Sequence, residues 1–145
     1  KRHRAYAYIT HGNRLLLFTH PKHPEAGIQV PAGSVEEGEK PEDAAMREAE
    51  EESNLKNLKF ECFLDQDTRD MNDCGTDELQ YRWFYHLSCT STPEEEWTHG
   101  EFAADGTMAY QFDFFWCDID SLPKMVANYD DKIDLLKKSL SRMNR

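Results

Sequence analysis

The chain has 145 residues, 28 acidic and 17 basic, for a formal net charge of −11. That length fits a single domain, residues 1–145, and 39% apolar with 31% charged residues is the composition of a soluble globular protein. The acidic excess argues against long nucleic acid as a partner, because no basic stripe is available to release counterions, and no apolar run approaches a membrane-spanning length.

Cys62, Cys74, Cys89 and Cys117 form no CxxC pair, so reduced thiols and a cytoplasmic location are expected. The basic start Lys1-Arg-His-Arg4 precedes no long apolar segment and does not read as a signal peptide.

Residues 5–11 alternate as a strand, with Tyr6, Tyr8 and Thr10 on one face and Ala5, Ala7 and Ile9 on the other. Gly12-Asn13 reads as a hairpin turn and residues 14–19 as the returning strand. A loop follows over 20–27, then a short strand Ile28-Gln-Val30, then Pro31-Ala-Gly33 and a second loop over 34–40. A helix is predicted from Pro41, with Glu42 and Asp43 in its first turn, Ala45, Met46, Ala49 and Ser53 on its buried side, and Asn54 as a left-handed stop. Strands are expected over 58–64, 79–88 and 108–119, long loops over 65–78 and 90–106, and a helical turn in 121–128. Asp130 is placed as the cap of a last helix striped by Ile133, Leu136, Leu140 and Met143. The order is α+β, a sheet with helices on two sides.

The most informative stretch is Gly33 to Leu55. Glu48, Glu51 and Glu52 stand at i, i+3 and i+4, so they project from one narrow sector of the helix. Like charges so placed cost stability unless a cation neutralises them, and carboxylates suit hard ions such as magnesium, manganese and calcium. Arg47 lies four residues before Glu51, within reach of a forked contact to its carboxylate. A diphosphate ester resists attack by water, and divalent cations on its oxygens neutralise charge and acidify water. The plain alternative, a solvated acidic helix face, does not account for the joint spacing of loop and helix.

Gly33, Glu39, Arg47, Glu48, Glu51 and Glu52 match the signature of the Nudix hydrolases, Gly-x5-Glu-x7-Arg-Glu-U-x-Glu-Glu-x-Gly-U with U a bulky aliphatic residue, and Leu55 fits its last position. Ala49 is small at an aliphatic position, and Asn54 stands for the glycine, whose left-handed backbone asparagine can adopt. The chain thus resembles the MutT-like pyrophosphohydrolases, and the resemblance extends to the flanking strands and the last helix. It implies an α-β-α sandwich with a mixed central sheet. It also implies hydrolysis of a diphosphate linkage in a nucleoside diphosphate derivative, with Mg2+ or Mn2+ as cofactor. By the same resemblance Glu48, Glu51, Glu52 and the carbonyl of Ala32 hold metal, Arg47 orients a helix glutamate, and Gly33 and Glu39 support the site.

The general base stays open between Glu48 on the helix and Glu94, Glu95, Glu96 or Glu101 in the later loop, Glu101 being the foremost of these because Trp97, His99 and Gly100 surround it. Strand aromatics such as Tyr6, Trp83 or Trp116 could stack a base, although most must be core. The expected partner is a small phosphorylated compound, a nucleotide or nucleotide-sugar, bound to a monomer or homodimer. A diphosphate isomerase, or a binding module on the same fold, is the alternative function.

Overall fold

The computed structural model describes residues 2–143, apart from the side chain of Glu101. Seven strands are present: β1 (Arg2–His11), β2 (Arg14–Thr19), β3 (Ala32–Ser34), β4 (Leu58–Asp70), β5 (Leu79–Cys89), β6 (Glu96–Phe102) and β7 (Met108–Asp118). Two α-helices, α1 (Pro41–Ser53) and α2 (Ile133–Met143), accompany them. The sheet is mixed, in the order β4-β5-β1-β2-β7-β6, with β3 joined to β1.

β1 organises the sheet because it has a different neighbour at each end. One edge runs parallel to β5, from Arg2↔Gln80 to Thr10↔Ser88. The other edge is shared: Arg4, Ala5 and Tyr6 pair with Ser34, Gly33 and Ala32 of β3, and Thr10 and His11 pair with Leu15 and Arg14 of β2. β3 therefore lies beside the middle of the sheet and within reach of α1.

The alternation along β1 separates two cores. Ala5, Ala7 and Ile9 are fully buried with Ala44, Ala45 and Ala49 of α1, and small residues on both sides let helix and sheet approach closely. Tyr6 and Tyr8 point the other way, into a core closed by Leu136 and Leu140 of α2. The result is the α-β-α sandwich. Its second layer is pinned by polar groups as well. His86 is fully buried, with Thr10 Oγ1 2.8 Å from its Nε2 and Ser139 Oγ 2.6 Å from its Nδ1, so α2 is tied to β1 and β5 through one imidazole. Arg82, four residues earlier on β5, is buried too, held by both oxygens of Asp67 at 2.7 and 2.6 Å and by Asp131 at 3.0 Å.

Several expectations need correction. Ile28-Gln-Val30 is not a strand; only Gln29 bridges to Phe18, and the strand falls at Ala32–Ser34, where β1 offers unpaired backbone. The loop expected over 65–78 begins only after Asp70, because β4 stays paired to β5 up to Asp70↔Leu79 despite its polar sequence. The loop expected over 90–106 contains β6, paired to β7 from Glu96↔Phe115 to Phe102↔Met108. Its acidic residues Glu96 and Glu101 lie on an edge strand, where charged side chains are common. The apolar stripe of α2 ends at Leu140, since Met143 is 45% exposed.

Candidate functional site

α1 begins at Pro41, a residue suited to the first helical position, and stops at Asn54, whose φ of 64° and ψ of 14° are left-handed. The Asn54 N–H closes the last turn on the Glu50 carbonyl at 2.9 Å. Two side chains of β6 satisfy further carbonyls of that turn: Trp97 Nε1 donates to Ser53 O at 2.8 Å, and His99 Nε2 lies 3.1 Å from Glu51 O. Sequence reasoning noted Trp97 and His99 only as neighbours of Glu101. Their support of the helix depends on the β6–β7 pairing that the charged sequence conceals.

Arg47 is the hub of the helix and the loop before it. Its Nε and Nη2 grip Glu39 at 2.9 and 3.0 Å, its Nη2 also donates to the Ser34 carbonyl at 3.1 Å, and its Nη1 donates to Glu48 Oε1 at 2.8 Å. Glu39 in turn accepts from the Glu36 N–H at 3.0 Å. The guanidinium and that amide together hold the Glu39 carboxyl down at about 2. The expected fork onto Glu51 is not the main contact. Glu51 receives a single Nη1 contact at 3.4 Å and its side chain is 60% exposed, because the planar fork is already matched to Glu39.

Glu48 and Glu52 turn inward toward β3. A Cβ at Gly33 would collide with the carboxyl carbon of Glu48, so the glycine is what lets this side chain lie against the strand. Glu52 Oε1 accepts the Ala32 N–H at 3.0 Å. Burial raises the Glu52 carboxyl to about 8; the Ala32 hydrogen bond opposes this and the neighbouring Glu48 charge adds to it. Burial also raises Glu48, against the pull of Arg47. Glu48, Glu52 and Ala32 thus meet at one junction of helix and strand, with Glu51 on the exposed side of the same helix turn. Among the described residues no three His, Cys, Asp or Glu side chains converge on one point that could hold an ion. The donor set nevertheless fits a hard divalent ion: it is all oxygen, and a desolvated carboxyl with a raised pKa is the group a cation relieves.

Of the later glutamates, Glu95 is taken: both its oxygens accept from Arg14, at 2.8 and 2.9 Å. Glu94 lies before β6, and its carbonyl accepts from Trp116 Nε1 at 3.0 Å. Glu96 opens β6. Glu101 is carried by β6 rather than by a loop, two residues beyond His99, and its side chain lies outside the described residues.

A family model for the Nudix domain matches residues 1–136. The chain belongs to the Nudix hydrolase family. Solved structures with this fold include a UDP-X diphosphatase, 18% identical with a TM-score of 0.65, which aligns over 99% of this chain and 64% of its own length. The Nudix fold is shared equally with a C. elegans Ap4A hydrolase in a binary complex, 18% identical over 99% of this chain and 98% of that one, TM-score 0.65. It is shared too with a MutT Nudix hydrolase from Burkholderia pseudomallei, 21% identical over 93% of this chain and 97% of that one, TM-score 0.62. No curated protein matches the chain. Among the described residues no helix is long and apolar enough to cross a membrane, and all four cysteines are free thiols.

Proposed function

We propose that this chain is a divalent-metal-dependent pyrophosphohydrolase acting on a small nucleoside diphosphate derivative. The observation that carries the reading is the coupled pair at the helix–strand junction: Glu48 lies against Gly33, and Glu52 is held by the Ala32 amide, inside a family match that spans residues 1–136. Glu48, Glu51, Glu52 and the Ala32 carbonyl would hold magnesium, or manganese in its place. The cation supplies neutralisation of the diphosphate charge and acidification of water. Arg47 and Glu39 keep the loop and the helix in register, so the carboxylates need not reorganise during reaction.

In the reaction, the oxygen of a water attacks one phosphorus of the diphosphate. The bond from that phosphorus to the bridging oxygen breaks, and two phosphorylated products separate. A carboxylate takes the proton lost by the water. Glu48 is first choice for that base because it already faces β3, and Glu101 is the runner-up from β6. The nucleotide or nucleotide-sugar class is an extension from relatives named for UDP-X, ADP-ribose and Ap4A. A cytoplasmic site of action agrees with the four free thiols.

The test is product analysis with ADP-ribose, UDP-glucose and diadenosine tetraphosphate, at millimolar magnesium, for the parent, Glu52→Gln, Glu48→Gln and Glu101→Gln. Magnesium-dependent release of nucleoside phosphates, reduced at least about 10²-fold in Glu52→Gln, is the expected result. No turnover of any of the three by the parent, or full turnover by both Glu52→Gln and Glu48→Gln, sinks the reading. A loop-side base lowers turnover in Glu101→Gln with magnesium affinity intact, whereas Glu48→Gln should weaken both.

A further inference from the structure

Two arginines stand side by side on the paired strands β1 and β5, Arg4 opposite Arg82. They are treated in opposite ways. Arg82 is neutralised by Asp67 and Asp131. Arg4 has no carboxylate within ion-pair distance among the described residues, and its Nε is the one buried side-chain nitrogen or oxygen there without a hydrogen-bond partner. A guanidinium has five N–H donors and no acceptor capacity. Leaving one desolvated and unpaired is costly, and each such group in a folded protein calls for an explanation.

The position of Arg4 supplies one. It pairs with Ser34 of β3, two residues along from the Tyr6↔Ala32 pair, and Ala32 is the residue whose N–H holds Glu52. Two residues of strand span about 7 Å, and alternation puts Arg4 on the same face as Tyr6. Its guanidinium lies over the Tyr6 ring, 5.6 Å from the centroid, and Tyr6 packs edge-on against Tyr129. A half-buried cation without a carboxylate partner therefore stands on the same β1–β3 strand pair as the amide that holds Glu52, two strand residues from it.

We infer that Arg4 is a substrate-binding residue for the proposed reaction, donating to the oxygens of a diphosphate whose other end lies at the Glu48–Glu52 junction. The inference rests on the hydrolase reading for its substrate class. The Tyr6 ring, itself packed on Tyr129, lies under the guanidinium and restricts it, so less order is lost when the anion arrives. Arg82, with its aspartates, leaves the full positive charge of this strand pair to Arg4.

The experiment uses the full chain with Arg4→Gln and Arg4→Lys. Substrate turnover is measured on ADP-ribose, UDP-glucose and diadenosine tetraphosphate, calorimetric binding on inorganic pyrophosphate with magnesium, and melting without either. For whichever substrate the parent hydrolyses, Arg4→Gln should raise KM at least tenfold and change kcat less than threefold, with Arg4→Lys in between. Pyrophosphate affinity should fall in the same order, while the ligand-free melting temperature stays level or rises. Unchanged KM and unchanged pyrophosphate affinity in Arg4→Gln overturn the inference and leave the hydrolase reading standing. A lowered melting temperature in both variants, with KM unmoved in Arg4→Lys, also overturns it and assigns Arg4 to the scaffold. If the parent hydrolyses none of the three compounds, the hydrolase reading falls, and pyrophosphate binding alone decides Arg4: weaker in Arg4→Gln supports it, equal refutes it.

Discussion

The carboxylate of Glu48 occupies the volume that a side chain at Gly33 would take. The signature glycine is thus a space requirement in this chain and not a turn requirement, since Gly33 is a strand residue without a positive φ. The atoms that would meet a new methyl are the far end of a flexible side chain. Gly33→Ala should therefore fold, with stability within about 1 kcal/mol of the parent, and push Glu48 off the strand. Turnover should fall at least about 10²-fold. Melting and kinetics on the same preparation check this, and an active Gly33→Ala would show that Glu48 can reach the substrate from another rotamer.

Glu52 makes stability pH-dependent in an unusual direction. Its carboxyl titrates near 8 when folded, raised mainly by burial from an ordinary value of 4.5. Between those values the folded chain keeps a proton that the unfolded chain releases, so stability falls as pH rises through the window. Glu52→Gln keeps an acceptor for the Ala32 N–H and removes the titration. Without magnesium its melting temperature should match the parent near pH 4.5 and exceed it above pH 8, by about 3 °C for each ~1 kcal/mol relieved. Added magnesium should narrow or reverse the difference, because the parent gains binding free energy. A Glu52→Gln protein that melts lower than the parent at pH 8 without metal would mean the carboxylate has a structural partner.

The buried imidazole of His86 acts in the opposite sense. Burial lowers it from 6.5 to about 4, against a small opposing pull from Glu61. Here the unfolded chain holds the extra proton between pH 4 and 6.5, so stability is full above 6.5 and is lost as pH falls through that window, by up to about 3 kcal/mol. Denaturant titrations at pH 7, 5.5 and 4.5 should show this loss in the parent and its absence in His86→Gln. Parallel pH profiles for the two proteins would remove His86 from the account of acid sensitivity.

Asn54 holds the left-handed end of α1. Asn54→Gly should be neutral or mildly stabilising. Asn54→Val should cost about 1–2 kcal/mol, since a β-branched side chain is strained at positive φ. Because Ser53 and Glu51 carry the carbonyls met by Trp97 and His99, the valine variant should also lower turnover. Equal melting temperatures for the glycine and valine variants would show that the last turn unwinds without consequence.

Local sequence determined the elements whose chemistry is local. The period of α1, its proline start, its left-handed stop and the two faces of β1 follow from residue type and spacing alone, and each is present in the fold. So does the grouping of Glu48, Glu51 and Glu52, because i, i+3 and i+4 are neighbours on any helix. Which of the three turns inward was not legible. That depends on β3, whose pairing to β1 across 25 or more intervening residues gives Glu48 a glycine to lie on and Glu52 an amide to accept. The partner of Arg47 was equally hidden: the helix offers Glu51 at four residues, but the folded loop offers Glu39, and a bidentate contact outweighs a single one. β6 escaped detection because an edge strand needs only one good neighbour, and its β7 partner compensates for a charged sequence. The unpartnered Arg4 is a property of the whole arrangement. A sequence shows a basic residue near its start, and only the packed sheet shows that its Nε is buried without a hydrogen-bond partner among the described residues.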